Sequence, residues 1–88
     1  MKVVEFKGEE LTIHPIRYQN GNNGLIATVD DEPFMMITVN TKRRIPDRTV
    51  LVKNYGENSG IFEALGEAGI VSLLEEDYIQ DGIYWCSI

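Results

Sequence analysis

The chain has 88 residues with 8 basic and 14 acidic side chains, so its formal net charge is −6. This length allows one hydrophobic core, and 43% hydrophobic with 25% charged residues is typical of a folded globular domain and excludes a disordered chain. Lys2 and Glu5 interrupt the first apolar segment and no run of 18 apolar residues follows, so we expect one small domain over residues 1–88, cytoplasmic, with no membrane association.

Short apolar and β-branched runs, separated by turn signals, predict an antiparallel sheet in the first half of the chain. Pro15 cannot donate a hydrogen bond to a neighbouring strand, so it predicts an edge position or a bulge. Residues 20–24 are predicted to be a turn because Asn and Gly tolerate positive φ, and residues 30–33 because Pro favours a chain reversal. The predicted strands are residues 3–6, 11–18, 25–29 and 34–40.

The second half of the chain begins with a solvated loop at 41–48 and a strand at 49–53. A helix over about 60–68 follows, because Ile61, Leu65 and Ala68 form one apolar stripe. Either Asn58 or Ser59 is expected to cap its N-terminus. Residues 70–74 are a strand or an extended connection, and residues 83–88 are the last strand.

These elements predict an α+β fold: a curved, mostly antiparallel sheet of five to seven short strands, with the one short helix packed on one face. A small, partly closed barrel is the alternative. The sequence leaves the strand order open, because the segments after residue 54 can pair at either edge.

Charge is distributed unevenly along the chain. Residues 54–88 hold seven acidic side chains and none that is basic. Against these stands one basic cluster, formed by Lys42, Arg43, Arg44, Arg48 and Lys53. A solvated loop is the favoured interpretation of this cluster, because nucleic-acid-binding domains are usually basic as a whole.

No arrangement of residues predicts catalysis, a metal or a cofactor. His14 has no second ligand at metal-binding spacing. Asp30, Asp31 and Glu32 are expected to be a solvated turn, and no glycine-rich phosphate-binding motif occurs. The lone Cys86 cannot form an intrachain disulfide and is expected to be a buried apolar side chain in a reducing compartment. We therefore predict no catalytic, cofactor-binding or metal-binding residue, and a protein that is not an enzyme.

The run Val52-Lys53-Asn54-Tyr55-Gly56-Glu57-Asn58-Ser59-Gly60, followed by Leu65 and Ala68-Gly69-Ile70-Val71, resembles the signature of a family of small uncharacterised bacterial proteins. Residues 4–8, 11–12, 17–22 and 38–40 agree with it, the ending at 82–86 is loosely similar, and residues 72–81 do not match. This domain-of-unknown-function family is often carried on plasmids, conjugative elements and phages. The resemblance implies a mobile-element setting and no activity, cofactor or catalytic residue.

The connection at 53–60 is the first place to look for a binding surface, because loops on a rigid frame collect binding residues. We expect a non-enzymatic protein that binds another macromolecule, with a protein partner favoured. The candidate interaction residues are Lys53, Tyr55, Glu57, Asn58, Glu63 and Glu67. Two alternatives stay open. The acidic half could imitate nucleic acid and inhibit a host defence protein, or residues 42–53 could bind nucleic acid weakly.

Overall fold

A computed structural model describes residues 2–76 and 79–88 of the chain. The first half forms a four-stranded antiparallel sheet whose strands lie side by side in chain order. Its strands are β1 (Lys2–Phe6), β2 (Glu9–Arg17), β3 (Asn23–Val29) and β4 (Glu32–Met36).

The second half forms a five-stranded antiparallel sheet and the α-helix α1 (Ile61–Glu67), which a 3-10 turn at Gly56–Asn58 precedes. Its strands are β5 (Thr38–Val39), β6 (Thr49–Lys53), β7 (Ser72–Leu73), β8 (Ile79–Gln80) and β9 (Ile83–Ser87). The order across this sheet is β5-β6-β9-β7, and β8 pairs with β9. The α+β class and the helix are thus confirmed.

The reversal predicted at 30–33 is a tight hairpin turn. Asp30 and Asp31 both have positive φ, 52° and 67°, which is the backbone of a two-residue turn that matches the twist of its strands. Pro15 lies where β2 has passed the end of β1 and pairs with β3 alone. It therefore occupies an edge position, one of the two placements that the sequence predicted.

The prediction of a single curved sheet is wrong, and the reason lies at Ile37. The predicted strand 34–40 is divided there into β4 and β5, which belong to different sheets. The N–H of Ile37 donates to the Leu25 carbonyl of β3 at 3.1 Å, and its carbonyl accepts from the N–H of Lys53 in β6 at 2.9 Å. One fully buried residue thereby joins the two sheets.

The core lies between the sheets and the helix. From α1, Ile61 and Leu65 are fully buried, and the helix packs against β1 of the first sheet and β6 of the second. The ring of Phe62 lies 4.6 Å from that of Tyr84 in β9. The helix therefore covers strands of both sheets rather than one face of a single sheet. Its seven residues are too few for stability alone, so this packing is what maintains it.

We predict that Ile37→Ala lowers the free energy of unfolding by about 2–5 kcal/mol, because it opens a cavity where the two sheets meet. Val3→Ala is the matched control, since Val3 is 53% exposed and a surface substitution changes stability by about 0.5 kcal/mol or less. Urea denaturation of both variants measures the difference. Equal losses of unfolding free energy in the two variants would contradict the role of Ile37 in joining the two sheets.

Candidate functional site

The loop that follows β6 is built around the side chain of Asn54. Its Oδ1 accepts the N–H groups of Gly60 at 3.1 Å and Phe62 at 2.9 Å. These are the otherwise unpaired N–H groups at the start of α1. Gly60 precedes the helix with φ of 95°, a conformation that glycine adopts without a steric penalty. The predicted caps, Asn58 and Ser59, do not cap the helix: Asn54 does so from six residues before Gly60.

Asn58 holds the same loop against the first sheet. It is 4% exposed, and its Nδ2 donates to the Met36 carbonyl of β4 at 2.8 Å. Asn58, named above as a candidate interaction residue, is therefore buried within the fold and is not exposed to a partner. On the other side of the turn, the Nζ of Lys7 donates to the Glu57 carbonyl at 3.1 Å. The 3-10 turn is thus attached to β4 and to the turn after β1.

An apolar groove of about 300 Å³ opens beside this turn. Phe6 is buried in the core and Met35 is half-buried, whereas Phe34 is 50% exposed. We call the groove lined by Phe6, Lys7, Glu9, Phe34, Met35 and Glu57 the aromatic groove. Apolar side chains with charged groups at the rim are typical of protein-binding surfaces.

Tyr55 and Lys53 lie on the other side of the loop. The Tyr55 ring is 45% exposed and packs on Gly82, where an added Cβ would approach its Cδ1 to 2.7 Å. The Lys53 Nζ lies 5.2 Å from the centre of the same ring. The absence of a Cβ at Gly82 thus leaves room for the Tyr55 ring beside the β8–β9 turn, with the Lys53 ammonium over the ring.

Glu63 and Glu67 are exposed on α1, one helical turn apart. The Oε1 of Glu63 accepts a long hydrogen bond of 3.4 Å from Asn54 Nδ2. Glu75 and Glu76 are also exposed, and Asp77 lies outside the described residues. The structure therefore presents some of the carboxylates on which the acidic-inhibitor hypothesis depends, and that hypothesis stays a prediction.

The basic stretch 42–53 is not one surface. Lys42, Arg43, Arg44 and Arg48 are exposed in the loop before β6. Lys53 lies at the far end of that strand, about 16 Å from Arg48 at the usual rise per residue. The structure thus assigns Lys53 to the neighbourhood of Tyr55 and leaves the basic loop at the opposite end of β6.

Arg17 lies beside the basic loop. The sequence did not indicate this proximity. Arg17 ends β2, and together with Asn23, Asp47, Arg48 and Ile88 it lines a cavity of about 390 Å³. No local signal could have found it, because 31 positions separate Arg17 from Arg48 and only the pairing of strands brings them together.

Cys86 and His14 lie in environments typical of structural residues. Cys86 is fully buried in β9, and loss of solvation raises the pKa of its thiol to about 12. His14 is half-buried, and its Nε2 lies 2.8 Å from Thr28 Oγ1. Within residues 2–76 and 79–88, no group of three His, Cys, Asp or Glu side chains is placed to hold a metal ion.

The chain matches no protein-family model, no curated protein and no solved structure. In the described part of the chain, no helix has the length and apolar character needed to cross a bilayer.

We predict that Asn54→Ala destabilises the protein by about 1 kcal/mol, because the helix loses its capping acceptor. Ser59→Ala, at the position where the sequence predicted a cap, is expected to change stability by no more than about 0.5 kcal/mol. Thermal unfolding followed by circular dichroism compares the two. A larger loss in Ser59→Ala than in Asn54→Ala would show that the cap is assigned wrongly.

For Cys86, a pKa of about 12 leaves roughly a thousandfold less thiolate at pH 8 than an unperturbed thiol has. We expect a thiol reagent such as 5,5′-dithiobis(2-nitrobenzoate) to label the native protein slowly and the urea-unfolded protein fast. The unfolded thiol loses its proton first as pH rises, so the free energy of unfolding decreases from about pH 8.5 upward. Equal labelling rates in both states would contradict this burial.

Proposed function

We propose that this chain is a small, non-enzymatic binding protein whose aromatic groove receives an apolar side chain of a protein partner. The observation that carries the proposal is the exposure of Phe34 beside a groove with an apolar floor. Aromatic side chains that gain full burial on association are common centres of binding energy. The charged rim, with Lys7, Glu9 and Glu57, suits a protein partner better than a lipid surface.

The fixed position of the adjoining loop supports the same proposal. Asn54, Asn58 and Lys7 hold residues 54–60 to the helix, to β4 and to the turn after β1. The side chains of Tyr55 and Glu57 are exposed on this fixed backbone. A loop that is ordered before binding loses little conformational entropy on association, which favours affinity.

The setting we propose is a bacterial mobile element. The resemblance of residues 52–60 to proteins carried on plasmids, conjugative elements and phages supports it. Within that stretch, Asn54, Asn58 and Gly60 have structural roles, so Tyr55 and Glu57 are the positions whose exposed side chains are available for recognition.

The test compares Phe34→Ser with Leu74→Ser, which removes an exposed apolar side chain in the bend directly after β7. Phe34 is 50% and Leu74 39% exposed, so both variants should remain folded. Immobilised wild type and variants are incubated with bacterial lysate, and a protein captured by wild type is purified and titrated by calorimetry. We expect Phe34→Ser to weaken binding of this partner by about 10- to 100-fold, because the complex loses the free energy of burying an aromatic side chain.

The Leu74→Ser variant is expected to bind that partner as tightly as wild type, since Leu74 lies outside the aromatic groove. Either of two results would overturn the proposal: a captured partner that binds Phe34→Ser with unchanged affinity, or the capture of no protein by wild type.

A further inference from the structure

Five basic residues lie at the end of β2 opposite the aromatic groove and in the loop before β6. Arg17 ends β2, some 26 Å from the turn after β1 at the usual rise per residue. Lys42, Arg43, Arg44 and Arg48 lie in the loop before β6, and Arg17 and Arg48 line the same cavity. We call these five residues the basic end.

A buried asparagine fixes the loop that carries four of these cations. Asn22 is 1% exposed. Its Nδ2 donates to the Arg43 carbonyl at 2.7 Å, and its Oδ1 accepts the N–H of Ile45 at 2.9 Å and Arg44 Nε at 3.2 Å. The loop backbone is therefore held in one conformation, and the side chains of Lys42, Arg43 and Arg48 are exposed around it.

Little negative charge compensates the basic end. Segments 16–24 and 40–48 contain its five basic residues and one acidic residue, Asp47. Among the residues that the structure describes, the one ion pair joins Arg44 to Asp47 at 3.9 Å, with side chains 58% and 94% exposed. An ion pair this exposed is weak. Three basic and thirteen acidic side chains lie in the rest of the sequence, so positive charge is concentrated at this end.

An open groove of about 580 Å³ continues the basic end, lined by Tyr18, Gln19, Asn20, Asn40, Thr41 and Lys42. The Tyr18 ring is fixed: its hydroxyl lies 2.9 Å from Thr38 Oγ1, and its Cε2 is so near Gly24 that a Cβ there would lie at 2.6 Å. A groove with a fixed aromatic ring, amide side chains and adjacent cations has the elements that bind single-stranded nucleic acid.

We propose that the basic end binds the phosphate backbone of a single-stranded nucleic acid, with the Tyr18 groove receiving its bases. Phosphates contact Arg17, Lys42, Arg43 and Arg48, and Lys42 also lines the Tyr18 groove. The net charge of −6 opposes binding at long range, so affinity is modest and depends on short-range contacts. This site is separate from the aromatic groove and does not depend on the function proposed for it.

The test measures binding of a labelled single-stranded DNA of about 20 nucleotides by fluorescence anisotropy, at about 50 and about 200 mM salt. Four phosphate contacts on a single strand give a salt slope near −2.8, so affinity is expected to fall by about 50-fold between these conditions. Arg17→Gln combined with Arg48→Gln halves the slope and lowers affinity at the lower salt concentration by about 60-fold.

Lys2→Glu is the control, because it lowers the net charge by the same two units at an exposed position of β1 that lies outside both grooves. Circular dichroism checks the folding of each variant. If Arg17→Gln with Arg48→Gln does not fold, Lys42→Gln with Arg43→Gln, both exposed, takes its place. The control is expected to bind as wild type does.

Three results would overturn the proposal. The first is no binding at low salt, or equal losses in the control and the basic-end variant. The second is a duplex of the same sequence bound as tightly as the single strand. The third is a polyglutamate peptide bound as tightly as the DNA, which would indicate an acidic protein as the ligand.

Discussion

The backbone of Ile37 joins the two halves of this molecule. Its N–H pairs with β3 and its carbonyl with β6, so one residue belongs to the hydrogen-bonding pattern of both sheets. Because its side chain is fully buried, this connection cannot move without opening the core. The helix, which packs against β1 and β6, is positioned by the same joint. Both candidate binding surfaces are therefore attached to one rigid frame.

Three asparagines then fix the loops on that frame. Asn54 caps the helix, Asn58 holds the 3-10 turn to β4, and Asn22 holds the basic loop. A buried amide without partners would be costly, and the described part of the chain has no buried side-chain N or O atom lacking a hydrogen bond. The hydrogen bonds of these asparagines thus replace bonds to water and hold the loops in specific conformations. The backbone at neighbouring exposed residues, such as Tyr55 and Arg43, is thereby held in place.

The two surfaces differ in the kind of interaction they offer. The aromatic groove presents Phe34 and apolar floor area, whose contribution to binding depends little on salt. The basic end presents exposed cations, whose contribution salt reduces strongly. They lie at opposite ends of β2, so occupation of one leaves the other accessible. The two proposed interactions therefore do not exclude each other.

The sequence by itself determined the α+β class, the helix near 60–68 and most strands. These features follow from the spacing of apolar residues and from turn-forming residues, which act through local backbone preferences. Tertiary structure alone decided the rest. Four features depend on contacts between distant segments: the change of sheet at Ile37, the helix cap supplied by Asn54, the burial of Asn58 and the proximity of Arg17 to Arg48. Local sequence patterns do not encode such contacts, because strand pairing is set by how the whole core packs.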